Sequence, residues 1–185
     1  MLKTLITTSH RPTRSTRRFV KMLSQIVPDS IRVTRGKYTM NALLLQAVDL
    51  DVKNIIIIRN RSGNPGYIDL YSIDDAALKL NKICTIKVCG YKIIENYERD
   101  LTYDEIIFIG GKLIEISIDE HFLACILRCF NINIVSSMSL CRSRSILEAH
   151  IKMLNNAYEL SFSNCKGEPK GLVLKICPTK TITQK

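Results

Sequence analysis

Between Ser9 and Lys21 the chain reads S-H-R-P-T-R-S-T-R-R-F-V-K, and these are the residues whose types and spacing best suit binding chemistry. At about 100 degrees per residue, Arg14, Arg17, Arg18 and Lys21 fall at i, i+3, i+4 and i+7 and share one face of a helix. Phe19, Met22, Leu23, Ile26 and Val27 occupy the opposite face. Thr13 is the expected N-cap, because its hydroxyl can accept from the first unpaired backbone N–H groups. Cations this close to a helix start oppose the macrodipole. An anion bound at the same place removes the conflict, since N–H groups and guanidinium groups then converge on it. A solvated face is the plainer meaning of a charge run, yet four like charges with no acidic partner at i+4 repel one another. The run therefore points to a polyanion.

Charge across the whole chain agrees. Of the net +10, residues 1–61 hold twelve Lys/Arg against three Asp/Glu, a net +9, while residues 62–185 are at +1. A basic region this concentrated is the footprint of a nucleic-acid partner, or less often of an anionic membrane surface. With no Trp and only Tyr38, Tyr67 and Tyr71 near the expected surface, phosphate and shape contacts should outweigh base stacking.

Catalytic signals are weak. No P-loop, dinucleotide or zincin motif occurs. The acidic neighbours Asp49 and Asp51, Asp74 and Asp75, and Asp119 and Glu120 could hold a nuclease metal, but they suit helix ends and turns better. Of His10, His121 and His150, only His10 lies in the basic region, where an RNA or phosphate contact suits it better than catalysis. No enzymatic activity, catalytic residue, metal site or cofactor is expected. The seven cysteines are odd in number and include no C-x-x-C pair, so they are expected to be reduced, buried thiols. Cys125 and Cys129, one helical turn apart, have the one spacing compatible with shared ligation, and a core stripe explains them equally.

The elements that must position these residues follow from periodicity. Leu2–Thr7 reads as a buried strand, followed by the basic helix up to Pro28, a strand at Ile31–Thr34, and a helix capped by Thr39. Ile55–Ile58, four consecutive isoleucines, predicts a strand buried on both faces. This alternation argues for parallel strands, whose carboxyl ends would gather three basic loops on one edge: Ser9–Arg14, Arg35–Lys37 and Arg59–Arg61. Further strands are expected over residues 66–94, then a polar linker at Asn96–Asp104. Beyond it are expected a strand at Ile106–Ile109, a half-exposed strand around Ile114, Ile116 and Ile118, and a helix opened by Asp119 and Glu120. A strand at Ile132–Val135, a helix over Ile146–Ala157 and a hairpin of Tyr158–Ser163 with Leu172–Ile176 complete the reading. No apolar run reaches the roughly 20 residues of a membrane span and no signal peptide is evident, so a cytoplasmic protein without membrane contact is expected.

Three segments together resemble a known family. The run L-I-T-T-S-H-R-P-T-R-S-T-R-R-F-V-K, then R-G-K-Y at 35–38 and G-N-P-G at 63–66, is similar over about the first 70 residues to the Brix domain of ribosome-biogenesis proteins. The lack of long charged extensions makes it look like the short archaeal members. Glu168-Pro169-Lys170-Gly171-Leu172 lies where such proteins carry a G-P-R-like turn, as a looser match. The resemblance implies an α/β fold of two similar halves, each related to the anticodon-binding domain of class IIa aminoacyl-tRNA synthetases. It implies one Brix domain over 1–180, with a basic half at 1–95, a near-neutral half at 104–177 and a tail at 178–185; two such halves suit the pattern better than one long sheet. It also implies a non-enzymatic role in pre-rRNA processing and ribosomal subunit assembly, without cofactor. The family's basic motifs transfer onto Ser9, Arg11, Arg14, Arg17 and Arg18, and onto Arg35, Gly36 and Lys37. The complete expected RNA surface adds His10, Lys21, Arg59 and Arg61. Pre-rRNA is the expected partner of a monomer, with the second half free to dock ribosomal or other assembly proteins. A tRNA-binding module of the anticodon-binding type is the alternative, and a metal-dependent nuclease a remoter one.

Overall fold

Strand β1 (Thr4–Thr8) lies between β2 (Ser30–Arg32) and β3 (Asn54–Arg61) and runs parallel to both. The computed structural model describes residues 3–94, 102–136, 143 and 145–178. Helix α1 (Arg14–Ile26) connects β1 to β2, and α2 (Met40–Asp49) connects β2 to β3. The chain then turns antiparallel through β4 (Asn64–Asp74) and β5 (Lys79–Ile94). The run of isoleucines is explained by this layering. Ile56 and Ile58 join the core that α1 covers through Phe19, Leu23 and Ile26, while Ile55 and Ile57 face the core under Leu43 and Ala47 of α2. Thr13 and Thr39 cap the two helices as expected, accepting from Thr16 N and Ala42 N.

The second half repeats the plan. Strand β6 (Glu105–Ile109) is followed by a 3-10 turn at Gly110–Glu115, helix α3 (Glu120–Phe130) and β7 (Ile132–Val135). Next come β8 (Ile146–Leu154), β9 (Ala157–Asn164) and β10 (Pro169–Cys177). β6 is parallel to β7 and β8, β8 antiparallel to β9, and β9 antiparallel to β10, the pairing that β1 to β5 show. The two halves are thus topological repeats. They do not stand apart, however: β5 pairs antiparallel with β10, giving one ten-stranded sheet in the order β2-β1-β3-β4-β5-β10-β9-β8-β6-β7. The expectation of two halves in place of one long sheet is corrected to two halves within one sheet.

Two local expectations also fail. Ile146–Ala157 is not a helix: Leu147, Ala149 and Ile151 enter the apolar core while Glu148 (buried beside Lys112), His150 and Lys152 take the opposite face, and Asn155-Asn156 turns the chain into β9. Residues 110–115, expected in part as strand, form the 3-10 turn instead. Of the expected linker at Asn96–Asp104, residues 96–101 lie outside the described residues, and Tyr103 near its end is buried in the core. The same holds for the tail beyond residue 178.

The thiol expectation is overturned for five of the described cysteines, Cys84, Cys89, Cys125, Cys165 and Cys177, each of which is disulfide-bonded. Cys84 on β5 is bonded to Cys125 on α3, and Cys89 on β5 to Cys177 at the end of β10, so these two disulfides join the two halves. Partners 41 and 88 residues apart meet only once the sheet is assembled, which is why local spacing did not announce them. Cys129 remains a buried thiol. Among the described residues, no helix is long and apolar enough to cross a membrane.

Candidate nucleic-acid interface

The parallel trio β2-β1-β3 brings the three basic loops to one edge, as its topology requires. Hydrogen bonds between the loops hold them there. His10 Nδ1 lies 3.4 Å from Gly36 O, and Asn60 Nδ2 donates to Arg11 O at 3.3 Å. Thr13 Oγ1 and Ser15 Oγ both donate to Gly63 O at 2.8 Å, and Thr16 Oγ1 donates to Asn60 Oδ1 at 2.6 Å. Ser9 N donates to Ile58 O at 2.8 Å. The start of α1 is therefore pinned to the hairpin between β3 and β4. Gly36 has φ +54, a left-handed backbone that glycine adopts without a Cβ penalty.

From this anchored start the cationic face of α1 runs outward. Arg14, Arg17, Arg18 and Lys21 are all exposed and line one wall of a groove of about 1020 Å³, with Arg32 at the end of β2 and Tyr91 and Ile93 of β5 completing it. Among the described residues, Arg14, Arg17 and Lys21 make no ion pair, so their charge is available. The apolar side of the helix sits on both halves. Phe19 meets the Tyr91 ring edge-on at 5.3 Å, and Ile26 lies against Gly171 of β10, where any Cβ would run into its side chain. That glycine, at φ +67, belongs to the loosely matching segment 168–172. Its place under α1 gives the segment a packing role.

Two of the expected contact residues are engaged elsewhere. Arg35 is only 6% exposed; its Nε donates to Tyr38 O at 3.1 Å, and burial lowers the pKa of its guanidinium from the ordinary value. It shapes its loop from within, and the loop offers Lys37 to solvent. Arg59 is hydrogen-bonded to the buried carboxylate of Asp69 and lies 4.5 Å over the Tyr67 ring. Asp69 also takes Lys82 Nζ at 2.9 Å and Thr85 Oγ1 at 2.6 Å. Burial alone would push that carboxyl up, yet the hydrogen bonds from Arg59, Thr85 and Lys82 outweigh it and hold its pKa below the usual range. Arg11 and Arg61 stay exposed on the edge. Arg32 and Tyr91 were missed. Arg32 is an isolated cation at a strand end and Tyr91 lies far along the chain, so only the sheet order places them beside α1.

The acidic neighbours take the structural roles expected of them. Asp119 caps α3 through Phe122 N, Asp74 accepts from Ala77 N in a turn, and Asp51 and Asp75 pair with Lys53.

The fold and site define a mixed α/β protein of two repeated halves whose first half presents a cationic helix and loop edge. No family model matches the chain. Curated relatives nevertheless carry the resemblance seen in its motifs. The chain is 49% identical over 61 residues to a probable Brix domain-containing ribosomal biogenesis protein of Pyrococcus horikoshii, covering 33% of this chain and 27% of that one. With the protein of the same description from Thermococcus kodakarensis it shares 44% over 70 residues, 38% and 34% of the two chains. With that from Saccharolobus solfataricus it shares 30% over 97 residues, 52% and 55%. The chain is thus similar to the archaeal Brix domain-containing proteins, and the matches span from about a quarter to about half of those relatives' length. Among solved structures, a probable ribosomal biogenesis protein from Aeropyrum pernix superposes with a TM-score of 0.78 at 23% identity over 100% of both chains. An archaeal Imp4-like protein superposes at 0.66 and 18% identity, over 94% of this chain and 97% of that one. Both likenesses concern the fold.

Proposed function

We propose that this protein is a non-enzymatic ribosome-biogenesis factor that binds precursor rRNA and holds it in a form open to processing and to loading of ribosomal proteins. The observation that carries this reading is the gathering of α1's cationic face, Arg32 and the three loop tips on one side of the first half. Guanidinium and ammonium groups neutralise phosphates and release counterions. The loops, tied to one another by main-chain and side-chain bonds, set the spacing at which those phosphates fit. The names of the archaeal relatives point the same way. The protein acts in the cytoplasm as a monomer, and the relation of each half to anticodon-binding domains, which the sequence resemblance implies, would suit an RNA ligand.

In-cell ultraviolet crosslinking followed by sequencing of bound RNA tests the reading, with Arg14, Arg17 and Arg18 changed together to Glu as the control. Precursor rRNA is expected to be enriched and to be lost in the triple variant. Recovery of tRNA in its place, or of no specific RNA, would remove the proposal.

A further inference from the structure

Three sulfurs from two elements meet beneath α3. Cys125 and Cys129, one turn apart on its buried face, and Cys84 on β5 place their Sγ atoms within 4.8 Å of one another. Cys125 and Cys129 are almost wholly buried, and Cys84 partly so. A disulfide between Cys84 and Cys125 leaves the third sulfur without a task. Cys129 makes no hydrogen bond among the described residues and lies in the apolar core as a free thiol. Three thiols facing one point are a donor set that prefers soft or borderline ions to Mg²⁺ or Ca²⁺.

We propose that in the reduced protein Cys84, Cys125 and Cys129 bind one thiophilic metal ion of the Zn²⁺ or Cu⁺ class, the disulfide and the metal being alternative states of one site. Metal–sulfur bonds of about 2.3 Å bring such sulfurs to within about 4 Å of one another. Sulfurs already inside 4.8 Å need only small side-chain rotations to reach that arrangement. Passage between the states balances with a phosphine reductant. The phosphine gives two electrons to the S–S bond and becomes its oxide with an oxygen from water, the two sulfurs take up the protons, and the metal displaces the protons of all three thiols. Proton release on metal binding is therefore expected.

Anaerobic titration of the full chain with Cd²⁺ tests this, read by thiolate-to-cadmium charge-transfer absorbance and by proton release. Reduced protein should bind one ion at this site, and oxidised protein should bind it only after phosphine is added. Cys129→Ala should weaken that binding by at least about tenfold, since even partners one step removed from a metal are worth that much. Cys125→Ala, as a second variant, should do the same, while the double change Cys89→Ser and Cys177→Ser should leave it intact. Unchanged binding in Cys129→Ala or Cys125→Ala, loss of binding in the Cys89/Cys177 variant, or no uptake by reduced protein of native circular dichroism would each overturn the proposal.

Discussion

Arg17 and Arg35 make opposite predictions from the same residue type. Eight exposed cations line the proposed surface: Arg11, Arg14, Arg17, Arg18, Lys21, Arg32, Lys37 and Arg61. If five to eight of them meet phosphates, log K should fall against log salt with a slope of about −3.5 to −5.6, at about −0.7 per phosphate for single-stranded RNA. Between 50 and 200 mM salt that is a loss of roughly two to three powers of ten. Arg17→Ala removes one contact and should flatten the slope by about 0.7. Arg35→Ala should behave differently. Its guanidinium is committed to Tyr38 O inside the loop, so the change should weaken binding at every salt concentration by loosening Lys37 and Gly36 while leaving the slope unchanged within error. Fluorescence anisotropy of a labelled rRNA fragment at four or five salt concentrations, for both variants and the parent, separates the two. A parent slope near zero would refute phosphate neutralisation as the mechanism, and equal flattening in both variants would refute the division of labour read from burial.

Four further outcomes follow from the packing. Gly171→Ala puts a Cβ into Ile26 at a left-handed backbone position and should cost about 1–3 kcal/mol in urea unfolding; Ile26→Ala in the same chain should recover part of the loss. Thr13→Ala removes the cap of α1 and its bond to Gly63 and should cost about 1–2 kcal/mol, measurable by thermal unfolding. Asp69 has a depressed carboxyl pKa in the fold, so its contribution is complete above the ordinary value of about 4 and is lost as pH falls through the folded value. Urea midpoints should drop in that acid window, and Asp69→Asn, which leaves Arg59 and Lys82 without their charge partner, should flatten the drop and cost about 2–4 kcal/mol at neutral pH, allowing for the exposure of both cations. Reduction of the disulfides should lower stability by about 2–4 kcal/mol per bond, seen as a fall in Tm with phosphine present.

The first half could be read directly because its signals agree with one another. Capping threonines, amphipathic α1 and the doubly buried isoleucines all specify the alternation that forms, and parallel pairing then carries the basic loops to one edge without further information. In the second half, local preference and tertiary context diverge. Residues 146–157 are rich in Leu, Glu, Ala, Lys and Met, good helix formers, yet the inward alternation of Leu147, Ala149 and Ile151 and the pairing with β6 and β9 override that preference. Ile114, Ile116 and Ile118 mimic a strand by spacing alone, where a 3-10 turn occupies residues 110–115. At the candidate interface, residue type and location were legible and pairing was not. Nothing near Arg59 in the chain announces that Asp69, ten residues on, is its partner across a bulged hairpin. The joining of β5 to β10 was equally hidden, since it depends on two edges that exist only after each half has formed.

The seat of α1 has a consequence for energy transfer through the molecule. Its outer face is an exposed row of cations, while its inner face rests on Tyr91 of one repeat and on Gly171 of the other. A ligand that binds only the folded arrangement stabilises everything on which that arrangement depends. The near-neutral half, none of whose described residues lines the cationic groove, should therefore be protected when that surface is occupied. Amide exchange in β9 and β10 should slow on adding RNA, although neither strand lines the groove formed by α1, Arg32, Tyr91 and Ile93. In this design the helix acts as a keystone: load placed on its outer side presses the two repeats together, and slackening of either repeat should be felt as weaker binding at the other.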